Sequence, residues 1–294
     1  MNKVLLFWLG LMVSGWSEET VVATFNIRYA SPSDKGARAW PERRKAVLEI
    51  IRDMDSDVVG LQEALWSQVQ YLRPALPGYK WAGSGRDDGK KAGEFCAVGW
   101  KDDRFRLLQT GIFWLSDTPH TAGSKTWGNE VVRICTWVRL IDKKTGTSFY
   151  VFNTHWDHKH QGSRERAARM VAAQIDARQS KGDPVILMGD FNAKEDNPAV
   201  QYLTGNKVAL DGGNGAEQWK RPLVDVFDRL HPGEDDRRTF HGWKGTPDGR
   251  HKIDHIFASK DVTPRRCSIV RDAKDGAWPS DHFPVRAVLQ LPAP

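Results

Sequence analysis

Along this 294-residue chain, one apolar run after another ends in an acid, an amide or a histidine. Val185-Ile186-Leu187-Met188 runs into Gly189-Asp190-Phe191-Asn192. Phe25 gives way to Asn26, and Leu61 leads to Glu63. Phe152 leads to Asn153-Thr154-His155, Ile253 to Asp254, and Pro279-Ser280 to Asp281-His282. A single such end is an ordinary turn, because Gly, Asp and Asn suit turns. Six in one chain ask for another explanation. Carboxylates joined by an amide make a hard oxygen site suited to Mg²⁺ or Mn²⁺, ions that share their coordination with phosphate oxygens. A carboxylate base and histidines beside such an ion are the equipment for attacking a phosphate ester with water. The base orients and deprotonates the water, and a histidine stabilises charge or protonates the leaving oxygen.

These residues need elements to hold them. Val21–Phe25, 57–61 and 185–188 read as strands, short and bounded by polar or turn residues. Further strands are expected near 95–100, 110–115, 131–140, 148–153, 252–258, 267–270 and 285–291. Pro41 suits a first helical turn, with Val47, Ile50, Ile51 and Met54 on one face. A second helix carries Leu65, Val69 and Leu72. A third, capped by Ser163, runs to about Gln179. Residues 194–250 read as loops with short helices. The segments 95–115 and 131–153 look like hairpins, which argues for mixed or antiparallel sheets. The reading is α/β: two sheets face to face with outer helices. Strand ends are where such sheets present polar groups to ligands.

Forty per cent apolar and 27% charged residues describe a globular protein with a sizeable core. The N-terminus differs. Asn2-Lys3 precedes an apolar stretch, Val4 to Val13, too short to span a bilayer comfortably. Small-x-small spacing at Gly15-Trp16-Ser17 reads as a cleavage site. Residues 1–17 are therefore expected to be a secretory signal peptide and 18–294 one catalytic domain, secreted or periplasmic, without a membrane-spanning segment. Cys96, Cys135 and Cys267 are not spaced as a metal site; export would permit one disulfide. The formal charge of +6 favours anionic partners, but the basic residues are dispersed, with the densest group at Arg164–Arg169.

The segments TFNIR, LQE, NTH, GDFNA, KIDHIF and SDHFPV, in that order between Val21 and Leu291, resemble the endonuclease/exonuclease/phosphatase superfamily. That superfamily includes pancreatic-type DNases, abasic-site endonucleases, bacterial sphingomyelinases and inositol-polyphosphate phosphatases. The resemblance implies a four-layer α/β sandwich, DNase-like, with two packed mixed β-sheets flanked by helices and the site at one edge. It implies Glu63 as principal metal ligand, helped by Asn26 and Asp281. It implies Asp190 as the residue aligning or deprotonating the water, with Asn192 beside it on the phosphate or a second metal. His282 is implied at the phosphate, oriented by Asp254, and His155 near the leaving group. Each position alone also fits a bland role. Asn26 suits a strand-end turn, Asp254 a surface pair with Lys252, and His155 a satisfied core histidine.

Other residues stay open on their own evidence. His155-Trp156-Asp157-His158-Lys159-His160 reads as a zinc site or, preferably, as a further wall of the same phosphate cleft, with His158 and Asp157 in that wall and His160 in solvent. Arg133 reads as a bidentate phosphate contact or as a strand-edge surface residue. Arg86, Asp87 and Asp88 lie in a glycine-rich loop that suits a substrate rim. The expected partner is a phosphate ester, with nucleic acid not favoured because no basic stripe is concentrated. An exposed apolar hairpin at Gly111–Leu115 would instead point to a lipid substrate. A silent anion- or glycan-binding module is the alternative of another class.

Overall fold

The computed structural model describes residues 18–246, 251–274 and 277–294. The expected signal peptide lies outside them. In chain order the elements are β1 (Glu19–Asn26), α1 (Trp40–Met54), β2 (Val58–Ala64), α2 (Trp66–Ala75), β3 (Tyr79–Ala82), β4 (Phe95–Lys101), β5 (Phe105–Trp114), β6 (Ile134–Asp142), β7 (Ser148–His155), α3 (Gln161–Ala177), β8 (Val185–Asp190), α4 (Pro198–Leu203), β9 (Val208–Ala209), β10 (Ala216–Glu217), β11 (Val224–Asp225), α5 (Val226–Leu230), β12 (Asp254–Ala258), β13 (Thr263–Ile269) and β14 (Val285–Gln290). One six-stranded sheet has the order β13-β14-β1-β2-β4-β3, the other β11-β12-β8-β7-β6-β5. Each is mixed: β1 runs parallel to β2, and β7 parallel to β8, among antiparallel neighbours.

Alternation along the strands divides the apolar residues into layers. From β8, Ile186 and Met188 enter the core between the sheets with Val22, Val58, Val138 and Val285. Val185 and Leu187 face the opposite way, against Ala168, Val171 and Ile175 of α3 and Val200 of α4. Ala23, Phe25, Val59 and Leu61 pack under Val47, Ile50 and Ile51 of α1 and Leu72 of α2. Helix, sheet, sheet, helix is the four-layer order. Central strands are buried on both faces, which is why VILM reads as an unbroken oily run.

Several local expectations change. Phe95–Leu115 is not a hairpin: β4 and β5 belong to different sheets, and the chain crosses the sandwich between them. Segment 131–153 is a hairpin, but Val131 to Arg133 precede its first strand. Short β3 at the sheet edge lacked enough alternation to be recognised. Helix α3 is capped by His160, whose Nδ1 accepts the Ser163 N–H at 3.0 Å, so Ser163 lies inside the helix. Phe113, Trp114 and Leu115 are buried, so this segment is not an exposed apolar hairpin. All three cysteines are free and buried. Among the described residues, no helix is long and apolar enough to cross a membrane.

Candidate active site

Strand register gathers the polar ends at one edge of the sandwich. In β7 and β8, which are parallel, His155 stands opposite Asp190. β12 is antiparallel to β8, so its first residue, Asp254, also stands opposite Asp190. β1 and β2 end together, with Asn26 opposite Gln62. β14 is antiparallel to β1, which brings the preceding Asp281-His282 to the same edge. Two glycines permit the close approach. A Cβ on Gly189, whose φ is +147°, would lie 2.0 Å from the Thr154 carbonyl oxygen. One on Gly60 would meet Asn153 and Met188 at 2.8 Å, across the gap between the sheets. Asn153 fills that gap, donating to the Leu61 and Ala97 carbonyls at 3.0 and 2.9 Å and accepting from Gln62.

Glu63 reaches the cleft through an irregularity. The β2–β4 register shifts between Leu61 and Ala64, and Glu63 has φ +62°. A bulge re-aims a side chain, and a left-handed non-glycine costs roughly 1–2 kcal/mol. Such strain persists where the surroundings over-determine it. Here the Tyr29 N–H donates to Glu63 Oε2 at 3.0 Å, and Asn26 Nδ2 donates to Oε1 at 3.0 Å. Asn192 has φ +47°, fixed by its N–H donating to Asp190 Oδ1 and its amide donating to the Trp156 carbonyl.

Asp190 is the hub. Asn26 Nδ2 donates to its Oδ2 at 2.9 Å. His155 Nε2 lies 3.4 Å and His282 Nε2 3.8 Å from the same oxygen. Burial and neighbouring Asp254 push the Asp190 carboxyl up to about 7, despite the opposing charge of His282. The two histidines are driven apart. His282 Nδ1 donates to Asp254 Oδ2 at 2.8 Å. Burial opposes its charge, but Asp254 and then Asp190 lift its pKa to about 10. His155 is pushed well below 6.5 by burial and by Arg133 and Arg86. One imidazole is thus charged and the other neutral at pH 7.

Asn26 sits where expected but presents its nitrogen. Its Oδ1 accepts the Arg28 N–H at 3.0 Å, so the amide holds two carboxylates together and offers them no competing oxygen. Ligand atoms of Glu63, His155 and Asp190 lie within 4.8 Å of one another, as do those of Asp190, Asp254 and His282. Asp281 lines the same cleft outside both groups, its carboxyl raised by burial. This donor set fits a small hard cation: Glu63 and Asp281 open to the cleft, and mutually repelling carboxylates are relieved by positive charge. Among the described residues His158 and His160 belong to neither group, so of the histidine-rich segment His155 alone stands with possible metal ligands. His160 is exposed, and His158 Nδ1 meets Arg133.

A family model described as the endonuclease/exonuclease/phosphatase family matches residues 23–282. The chain belongs to this family. The crystal structure of an endonuclease/exonuclease/phosphatase from Bacteroides vulgatus is similar at 33% identity and TM-score 0.82, covering 94% of this chain and 100% of that one. A mannosyl-6-phosphatase from Bacteroides thetaiotaomicron is similar at 31% identity and TM-score 0.78, covering 92% and 99%. A CCR4-NOT transcription complex subunit 6-like-B from Xenopus laevis is 23% identical over 327 residues, 87% of this chain and 59% of that protein. The chain spans about three fifths of the length of the first curated relatives it matches.

The cleft, about 640 Å³, also contains residues that the sequence did not single out. Glu94 lies 4.0 Å from His155 Nδ1 and receives Arg86 bidentately at 2.6 and 2.8 Å. Burial outweighs that pairing and pushes its carboxyl up to about 7. It immediately precedes β4, after a glycine-rich loop, with no apolar run before it to mark a strand end. Arg28 pairs with Asp34 at 3.2 Å and approaches Glu63 at 4.0 Å; its place in TFNIR was the available signal. Arg86 stands in the cleft wall as expected, whereas Asp88 is exposed. Phe240 packs 4.9 Å from the His282 ring. Buried Arg43 donates to the Ile27, Arg28, Tyr29 and Pro279 carbonyls, tying the exit of β1 to the approach of β14. Lys252 is fully buried on Asp225 at 2.7 Å, so it forms no surface pair with Asp254.

Proposed function

We propose that the protein is a hydrolase of phosphate esters that uses a divalent cation, Mg²⁺ or Mn²⁺, and acts on a small ester such as a sugar phosphate. One observation carries the reading: a buried carboxylate poised near neutrality, Asp190, faces one charged and one neutral histidine beside an acid-lined opening. Two ionisable histidines driven to opposite states mark an acid–base assignment. Glu63 and Asp281 would hold the cation, which when bound neutralises phosphoryl oxygens. Asp190, with a pKa near the working pH, aligns a water and takes its proton. The water oxygen bonds to phosphorus, the ester P–O bond breaks, and the alkoxide leaves with a proton. Charged His282, fixed by Asp254, stabilises the phosphoryl charge and is the group able to supply that proton. His155 is neutral at pH 7, which moves it from the leaving-group role to that of a neutral hydrogen-bonding partner. Asn26 steadies Glu63 and Asp190, and Asn192 borders the attacking water.

The small substrate is supported by the similarity to a mannosyl-6-phosphatase and by how the basic residues are used. The Arg164–Arg169 group is spent on local partners: Arg166 on Asp211 at 2.8 Å, Arg169 on Glu217, Arg164 on Gln161 and the Asp157 carbonyl. That leaves little for tracking a nucleic-acid backbone. The N-terminal apolar segment supports action outside the cytoplasm. The test is phosphate release from mannose 6-phosphate, glucose 6-phosphate and plasmid DNA, with Mg²⁺ or Mn²⁺ and with chelator, and Asp190→Ala as blank. Metal-dependent release from a sugar phosphate, lost in the blank, is expected. Nicking of plasmid alone would move the assignment to a nuclease. Metal binding without turnover on any ester would favour the binding module.

A further inference from the structure

The cleft is lined by three arginines, and they are not equivalent. Arg28 is matched by Asp34 and Glu63, and Arg86 by a bidentate bond to Glu94. Arg133 is only 4% exposed and, unlike the other two, donates no hydrogen bond to a carboxylate. Its Nη2 donates to His158 Nδ1 at 3.1 Å. Its Nε faces Asp157 Oδ2 at 3.9 Å, beyond hydrogen-bond distance, and neither Nε nor Nη1 has a hydrogen-bond partner. Asp157 Oδ1 accepts the Lys159 and His160 N–H groups at 2.9 and 2.7 Å, while Oδ2, the oxygen that faces Arg133, makes no hydrogen bond, so this pair leaves the donors of Arg133 free. Guanidinium only donates, so the contact with His158 makes that ring's Nδ1 an acceptor and the ring neutral. His158 therefore lends Arg133 no compensating charge. A buried cation with unused donors is costly, and an anion that completes its hydrogen bonds recovers that cost.

We propose that Arg133 is the specificity-determining contact for the additional anionic oxygen of a phosphate monoester, which makes terminal phosphoryl groups the substrate in preference to diester linkages. The assignment rests on the phosphoester-hydrolase reading above. A monoester carries close to two negative charges at neutral pH and three non-bridging oxygens. A diester carries one charge and two such oxygens, with an uncharged ester arm in the third position. Glu63, Asp281, His282 and Arg133 all line the cleft in which the phosphoryl group would sit beside Asp190. Arg133 brings the unused donors, Nε and Nη1, to that lining. An ester arm placed against Arg133 leaves its free donors buried and unsatisfied, which penalises the diester. A monoester oxygen satisfies them through a charge-assisted bond.

The experiment compares p-nitrophenyl phosphate with methyl p-nitrophenyl phosphate, which share a leaving group, using the purified protein with Mn²⁺. Wild type is expected to favour the monoester in kcat/KM by at least about 100-fold, the worth of one well-placed donor. Arg133→Met is expected to lower monoester kcat/KM by about 100-fold and diester kcat/KM by less than about 10-fold. Inhibition by inorganic phosphate should weaken in parallel. Arg133→Lys keeps the charge but loses the fork, and should fall between; it carries the comparison if the methionine variant does not fold. Equal loss on both esters by either folded variant, or a wild type that cleaves both equally, overturns this assignment and leaves the hydrolase reading standing. A wild type that cleaves neither ester and is also inactive on mannose 6-phosphate, glucose 6-phosphate and plasmid overturns the hydrolase reading, and this assignment with it; one active on a sugar phosphate alone moves the same comparison to mannose 6-phosphate and its methyl diester.

Discussion

Replacing Asp254 by Asn tests whether His282 acts as a cation. The substitution keeps the shape of a side chain that is 1% exposed, and the amide oxygen can still accept from His282 Nδ1 at the 2.8 Å position. What disappears is the negative charge that contributes most to raising His282 from 6.5 to about 10. In the limit of full reversion, the imidazole at pH 8 is about 3% protonated instead of almost wholly so, a loss of up to about 30-fold in kcat/KM. At pH 6 the reverted imidazole is still about three-quarters protonated, and this loss falls below about 2-fold. Burial still lowers the pKa and Asp190 still raises it in the variant, so these figures set the scale of the effect. The assay is kcat/KM for p-nitrophenyl phosphate from pH 6 to 9 at fixed Mn²⁺, wild type against variant. A bound cation lowers the alkaline limb in both proteins, so their difference carries the result. A loss that grows with pH is expected. An equal loss at pH 6 and pH 8 would show that Asp254 acts by position alone and that the charge on His282 is immaterial.

Glu63→Gln should weaken Mn²⁺ binding by more than about 100-fold, the upper range for losing even an indirect support of a metal, while far-UV circular dichroism stays unchanged. Unaltered Mn²⁺ affinity would remove Glu63 from the metal site. Glu94, lifted from 4.5 to about 7, holds a proton in the folded state that the unfolded chain has released across that window. Its stabilising contribution is complete below pH 4.5 and is lost as pH rises through 7. In chelator, the melting temperature of wild type relative to Glu94→Gln should therefore fall from pH 4.5 to 7, and a rise would reverse the sign of the argument. Lys252→Met strips the buried Asp225 carboxylate of its 2.7 Å cationic partner. It should cost about 3 kcal/mol in urea denaturation, as when one member of a buried pair is removed; a neutral result would mean that His255 alone holds Asp225.

The sequence made the strand-borne part of the site readable. Asn26, His155, Asp190 and Asp254 each terminate or open an apolar run, and the fold turns those ends toward one edge. Glu63 was visible for the same reason, although nothing in LQE announces the bulge that turns it into the cleft. Residues that act through burial were not readable. Arg133 looks the same in one dimension whether it lies on a strand edge or is sealed in a wall. Lys252, two residues before Asp254, looked like a surface partner, and only the packing of α5 and β12 shows that its charge belongs to Asp225. Glu94 follows a glycine-rich loop that carries no period, and its value depends on Arg86 and His155 folding back over it. The orientation of Asn26 is also a tertiary fact, decided by which neighbours are carboxylates and which is a backbone N–H.

In the proposed reaction, water aligned by Asp190 attacks phosphorus. Hydrolysis of a sugar phosphate in ¹⁸O-labelled water with Mn²⁺ tests it directly, by mass analysis of both products. One ¹⁸O in each released phosphate, none in the sugar, and no release above background with Asp190→Ala are expected. Label in the sugar would mean attack at carbon, and undiminished release by Asp190→Ala would mean that another group aligns the water; either would contradict the account.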